Sequence, residues 1–263
     1  PELALTTFFP RYYMENQDDV DAYFEREMPG PETAPLFEEA KRLGIGFHLG
    51  YAELAGEHHF NTAILVDRDG AIVGKYRKIH LPGHADHRPA APFQHLEKRY
   101  FEVGDLGFPV WRAFDGIFGM CICNDRRWPE TYRVMGLQGV EMVILGYNTP
   151  TTNSQSNEAP HVRAFHNLLS MQAGAYQNST WVVGVAKAGN EDGHELMGGS
   201  AIIAPSGELV AQCLTLDDEL VFADCDLDAT IFGKQTTFDF GRHRRIEHYT
   251  LITQQNGVTL PPD

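Results

Sequence analysis

The sequence predicts a mixed-sheet α/β fold. Helical and strand periodicities alternate along the whole chain, two hairpin signals interrupt that alternation, and no Pro/Gly/Ser linker divides it. Alternation of strands with helices favours parallel pairing, whereas hairpins require antiparallel neighbours, so the sheets must be mixed.

The elements follow in order. Leu36, Phe37, Ala40 and Leu43 recur at helical spacing and stop at Gly44, which predicts an amphipathic helix closed by a glycine. Residues 47–54 and 61–67 read as strands. Arg68-Asp69-Gly70 then turns the chain into residues 71–78, completing a hairpin. Residues 117–123 form a short apolar run of small side chains, read as a buried strand. A helix follows over residues 128–137, with Pro129 in its first turn and Gly139 beyond its end. Residues 141–146 are the next strand. A longer helix covers residues 162–176 and carries Phe165, Leu168, Leu169 and Met171. Residues 180–188 are a β-branched strand, and Pro205-Ser206-Gly207 turns a second hairpin. The two hairpins resemble each other: residues 64–73 align with residues 201–210, which hints at two related sheets. The most polar stretch, residues 149–160, reads as a surface loop of a length that often carries function.

The chain has 263 residues, 43% hydrophobic and 22% charged, the mix of a single globular domain over residues 1–263. A formal net charge of −15 argues against nucleic acid as a partner, because phosphate binding needs a basic face. No apolar run approaches the roughly 20 residues of a membrane span, so no membrane association is expected. The sequence opens on Pro1-Glu2-Leu3 with no basic start or apolar run, so no signal peptide is expected. The four cysteines are too few for a disulfide scaffold, so reduced thiols and a cytoplasmic location are expected.

Three stretches can carry chemistry. In the first, the buried strand ends at Cys123 and passes through polar residues into a helix near Pro129. A strand end fixes a thiol rigidly, and N–H groups of a following turn can hold an oxyanion. Cys121 and Cys123 are two apart and share a strand face, with Cys123 bordering the polar turn. A small core hydrophobe is the commoner role for a buried cysteine. Zinc is disfavoured, since Cys121 and Cys123 have no partner pair at zinc spacing. In the second stretch, Lys75, Arg77 and Lys78 form either a solvated strand edge or one inward-facing cation beside a developing oxyanion. In the third, Glu2 is either an ordinary strand end or a general base. Arg126 and Arg127 stand beside Cys123 and can grip a carboxylate in bidentate fashion; ion pairs with Asp125 or Glu130 are the structural alternative. No G-x-S-x-G elbow supports a serine hydrolase.

Together, Pro1-Glu2-Leu3, Tyr76-Arg77-Lys78-Ile79-His80-Leu81 and Cys123-Asn124-Asp125-Arg126-Arg127-Trp128-Pro129-Glu130 resemble the three motifs of the nitrilase superfamily, the carbon–nitrogen hydrolases, in the family's order. Further stretches at residues 80–84, 93–101, 122–130, 146–150 and 169–174 resemble its N-carbamoyl-D-amino-acid hydrolase (D-carbamoylase) branch, and that likeness runs to about residue 250. The resemblance implies a four-layer αββα sandwich, no cofactor, a small-molecule N-carbamoyl amino acid as substrate, and association into homodimers or homotetramers. It implies that Glu2, Lys78 and Cys123 are catalytic and that Glu97 orients Lys78. Arg126, Arg127, Asn124, His95 and Thr149 would line the substrate pocket. Family members carry a strand and helix ahead of the Glu motif, so an N-terminal segment is expected to be missing from this sequence. A related amidase or β-ureido-acid hydrolase, and a non-catalytic scaffold of the same fold, are the rival readings.

Overall fold

The computed structural model describes residues 1–91, 93–152 and 158–262 and contains two main sheets. The first is antiparallel, formed by β1 (Phe47–Ala55), β2 (His58–Val66) and β3 (Ile72–Arg77) in that order. The second is mixed. Its middle strands β5 (Gly116–Ile122), β6 (Met142–Tyr147) and β7 (Trp181–Ala186) run parallel. Antiparallel neighbours complete it: β4 (Val110–Ala113) on one edge, β10 (Ala201–Ile203) and β11 (Leu209–Gln212) on the other. β8 (Ala188–Glu191) and β9 (His194–Met197) form a small separate hairpin. The helices that matter for the site are α2 (Ala34–Leu43), after a short α1 (Gln17–Asp21), then α3 (Glu97–Tyr100), α4 (Pro129–Gly136) and α5 (Pro160–Asn178).

Helix α2 covers the first sheet through Phe37, which packs with Leu49, Tyr51, Ile64 and Val66. It ends at Gly44 in the left-handed conformation, as the glycine stop predicts. Helices α4 and α5 cover the second sheet, where Tyr132, Met135, Met171 and Ala175 join Cys121, Leu145 and Val182 in one core. A Cβ on Gly119 would meet Met135 of α4, so the pleat turns Phe118, Met120 and Ile122 the other way, toward the first sheet. The layers are therefore α-β-β-α, the sandwich anticipated from the motifs.

The two hairpins are twins in detail. Val66 pairs with Ile72 and Ile203 with Leu209, and each pairing lies beside a register shift at the equivalent position. Both turns close with the same bonds, Gly70 N to Asp67 O at 2.9 Å and Gly207 N to Ala204 O at 2.8 Å. The likeness of residues 64–73 to 201–210 thus corresponds to matching hairpins in two different sheets.

The structure refines several of these readings. The strand read at 61–67 begins at His58, because β1 and β2 themselves form a hairpin. The strand read at 180–188 breaks at Lys187 into β7 and β8. In α5 the apolar residues do not all face the core: Phe165 is 60% and Leu169 48% exposed, while Arg163, Asn167, Met171, Gly174 and Ala175 are buried. Of the loop read at 149–160, residues 153–157 lie outside the described residues. Thr149 and Pro150 are not surface loop: Thr149 is buried and Pro150 bridges to Leu196 of β9. Among the described residues, no helix is long and apolar enough to cross a membrane.

Two glycines admit the first residues of the chain between the sheets. A Cβ on Gly50 of β1 would lie 2.7 Å from the Pro1 carbonyl oxygen, and one on Gly146 of β6 would lie 2.5 Å from the Glu2 nitrogen. Only a residue with no side chain lets both strands close on this segment. Gly146→Ala is expected to push Glu2 off its position and lower kcat by about tenfold to a hundredfold. Overpacking should also reduce stability by about 1–3 kcal/mol. Steady-state turnover and thermal melts check both effects.

Candidate active site

Lys78 extends the β3 ladder by one residue, its N–H donating to Asn61 O at 2.8 Å. Strand alternation sorts the three neighbouring cations. Lys75 and Arg77 point outward and pair with Glu53, Arg77 reaching Asp105 as well. Tyr76 and Lys78 point inward and are buried. The ammonium of Lys78 donates to Glu2 Oε1 at 2.6 Å and to Glu97 Oε2 at 2.5 Å, leaving one of its three protons unassigned. Glu97 opens α3 and takes a further bond from His95 Nε2 at 3.0 Å. Glu2 Oε1 also accepts from Asn61 Nδ2 at 2.8 Å, but Glu2 Oε2 is buried with no partner. That free oxygen is the place where a proton can be received.

Cys123 stands where β5 gives way to a 3₁₀ turn spanning Cys123–Arg127. Its φ is +47°, a left-handed value costly for a side chain with a Cβ. The turn, not strand pleat, therefore aims the thiol, and the expected shared face with Cys121 does not extend across it. Cys121 is sealed in the core against the α4–α5 layer, whereas Cys123 opens on a cavity of about 130 Å³. Glu2, His95, Glu97, Asn124, Arg127 and Thr149 line the same cavity, as do Arg11, Asn148 and Arg163. Six of the nine residues singled out as the site thus share its wall with Cys123, and Lys78 lies directly behind it on Glu2 and Glu97.

Arg126 does not reach the cavity. It is 1% exposed, and its donors go to Asn167 Oδ1 (2.9 Å), Cys123 O (2.5 Å) and Thr149 Oγ1 (3.0 Å), with the guanidinium 4.3 Å above the Tyr147 ring. With every nitrogen bonded to the protein it buttresses the cysteine turn and has no free edge for a substrate carboxylate. Arg127, exposed at the rim, makes no hydrogen bond or ion pair among the described residues. Asp125 pairs with neither arginine. Its buried carboxylate accepts from Ile122 N (3.0 Å), Tyr76 Oη (2.8 Å), His80 N (2.9 Å) and His80 Nδ1 (2.8 Å). One side chain thereby fixes the cysteine turn relative to the lysine strand. Sequence reading passed over this role, although the acceptor and its donors sit within the two quoted motifs. It also passed over Asn61 and Arg163, neither of which carries a local signal.

The electrostatics follow from burial and pairing. Burial alone would lower the Lys78 ammonium, yet Glu2, Glu97 and Cys123 hold it well above an ordinary lysine. Burial raises Glu97, but Lys78 and His95 outweigh it and keep the carboxylate ionised. Burial raises the Cys123 thiol, and Glu2 adds to the rise against Lys78 and Arg126. The resting site is therefore a protonated thiol beside a carboxylate with one unengaged oxygen, not a standing thiolate. Among the described residues no cluster of three or more His, Cys, Asp or Glu side chains is arranged to hold a metal ion.

A thiol and a carboxylate on the wall of one small cavity, with a buried ammonium behind them, are the kinds of group that hydrolysis through a cysteine nucleophile calls for. The chain belongs to the carbon-nitrogen hydrolase family, whose model matches residues 1–235. It is 30% identical over 270 residues to an N-carbamoylputrescine amidase of Arabidopsis thaliana, covering 97% of this chain and 85% of that protein. It is 27% identical over 263 residues to a citrullinase of Francisella tularensis, covering 97% and 87%. The crystal structure of a carbon-nitrogen hydrolase from Helicobacter pylori superposes with a TM-score of 0.82 at 25% identity, over 97% of this chain and 84% of that one. The chain is accordingly a hydrolase of C–N bonds in the nitrilase superfamily. Its likeness to N-carbamoylputrescine amidases and a citrullinase does not select the D-carbamoylase branch.

Two predictions follow from the thiol. Alkylation of Cys123 by iodoacetamide should keep rising beyond pH 9. Glu2→Gln removes a negative charge that opposes thiolate formation, so its alkylation profile should move to lower pH while turnover is lost; peptide mass mapping across pH reads the shift. Because Cys123 is left-handed, Cys123→Gly should melt above Cys123→Ala by roughly 0.5–1 kcal/mol, reversing the usual glycine penalty.

Proposed function

We propose that the protein hydrolyses N-carbamoyl amino acids, with the D-enantiomers as substrates, to the amino acid, carbon dioxide and ammonia. The observation that carries this reading is the unpaired Arg127 guanidinium on the rim of the cavity that holds Cys123. In a chain of net charge −15, an uncommitted cation beside the nucleophile matches a substrate carboxylate. The same guanidinium disfavours carbamoylputrescine, whose far end is an ammonium. Resemblance of the motif set to D-carbamoylases supports the choice of enantiomer.

The steps follow from the residues. Glu2 Oε2 takes the Cys123 proton as sulfur adds to the ureido carbon of R–NH–CO–NH₂. The oxyanion is met by the remaining Lys78 proton and the turn N–H at Asn124, each such donor contributing about 3–4 kcal/mol in the transition state. Collapse expels ammonia, which carries away the proton from Glu2, and leaves Cys–S–CO–NH–R. Glu2 then deprotonates water, which adds to this carbonyl while sulfur departs and recovers its proton. The freed N-carboxy amino acid loses carbon dioxide.

N-carbamoyl-D-alanine, its L-enantiomer, N-carbamoylputrescine and propionamide, assayed in parallel for ammonia with Cys123→Ala as blank, test the reading. Turnover of the D-ureido acid is expected, with KM raised about tenfold to a hundredfold in Arg127→Gln, the value of one charged hydrogen-bonded contact. Preference for carbamoylputrescine or propionamide would overturn the anionic substrate. Equal use of both enantiomers would overturn the stereochemical part alone.

A further inference from the structure

One arginine suffices for one carboxylate, and the cavity has a second that the reaction above leaves unused. Arg163, on the first turns of α5, lines the cavity wall with a side chain only 4% exposed. Its Nε is buried and has no hydrogen-bond partner. Its Nη1 reaches Glu158 Oε2 at 3.3 Å, a long contact to a carboxylate that also accepts from His166. Glu158 therefore neutralises Arg163 only in part. Arg163 thus brings to the cavity wall a guanidinium with one long ion pair and an unpartnered Nε, the makings of an anion site.

The surroundings strengthen this. Burial and the neighbouring Arg127 both weigh against the charge on Arg163, with Glu158 opposing them. Two cations forced toward one small space are held at a cost that an anion between them would relieve. Arg127 sits exposed at the rim and Arg163 within the wall, so the two guanidinia lie at different depths and can each meet a separate carboxylate. The third arginine on the wall, Arg11, is already bound to the Glu191 carbonyl at 3.0 Å and flanked by the Glu191 and Asp192 carboxylates. A cavity of about 130 Å³ leaves room for a short side chain.

We propose that Arg163 forms an anion subsite for a second carboxylate, carried on the side chain of the substrate, so that the preferred ureido acid is the N-carbamoyl derivative of a short acidic amino acid of aspartate size. This rests on the proposed hydrolysis of N-carbamoyl amino acids and adds a determinant of side-chain choice to it.

The test compares N-carbamoyl-D-aspartate with its neutral isostere N-carbamoyl-D-asparagine. In the wild-type protein KM for the aspartate compound should be lower by at least about tenfold. In Arg163→Gln that ratio should fall close to one, and Arg163→Lys, which keeps the charge, should restore part of it. Equal KM values in the wild type, or an equal rise for both substrates in Arg163→Gln, would overturn the subsite. A second readout does not depend on hydrolysis: protection of Cys123 from iodoacetamide by succinate and by its neutral-ended isostere succinamate. Succinate should protect at a concentration at least about tenfold lower, a preference that Arg163→Gln removes. Such protection without turnover of any ureido acid would sink the reaction while keeping the subsite. Succinate protecting no better than succinamate would sink the subsite whatever the hydrolysis assay gives.

Discussion

The buried cluster of Glu2, Lys78 and Glu97 is the constraint around which the rest of the molecule is arranged. Glu2 and Glu97, both buried, share the one buried ammonium of Lys78, whose bonds offset the cost of taking the three groups out of water. Removing Lys78 would strand two buried carboxylates, the kind of loss that typically costs about 3–5 kcal/mol. The three side chains come from an opening segment, a strand end and a helix start, so the cluster ties together parts of the chain that share no local structure. Burial raises the Cys123 thiol, and the carboxylates of the cluster add to that rise against the pull of Lys78.

The backbone serves this cluster in two ways. Gly50 and Gly146 let the Glu2 segment pass between the sheets, and Asn148 Nδ2 holds the Glu2 carbonyl at 2.8 Å. Asp125 joins the cysteine turn to the lysine strand through Tyr76 and His80. Arg126 closes the turn from the other side by binding the Cys123 carbonyl and Thr149. The left-handed φ of Cys123 is maintained by these contacts, in keeping with strain that persists only where the surroundings over-determine it.

Much of this was legible from residues alone. The alternation of periodicities located most of the strands and helices that build the sandwich, because their buried faces are apolar at regular spacing. The motif residues Glu2, Lys78 and Cys123 were legible because the residues around each resemble a family motif, in the family's order. The arginines were less so. Adjacent Arg126 and Arg127 look equivalent in sequence, yet the tight turn sends one into the protein and the other to the rim, a difference of backbone direction that no spacing rule contains. Helix α5 misled for a related reason. Its buried stripe carries Arg163 and Asn167 beside Met171, while Phe165 and Leu169 face outward, so the apolar residues alone do not mark its inner face.

The matched hairpins divide the molecule into two sheets, and the chemistry is shared between them. Glu2, Lys78 and Glu97 belong to residues 1–100, whereas Cys123, Thr149 and Arg163 belong to the second sheet and its helices. Neither half alone contains both a nucleophile and its base. During synthesis the part bearing Glu2 and Lys78 emerges first, carrying an ion cluster but no sulfur to act on. The thiol then emerges without a proton acceptor until the sheets dock. The site is complete only when both sheets are docked, and a chain that has folded only one of them holds half of its groups.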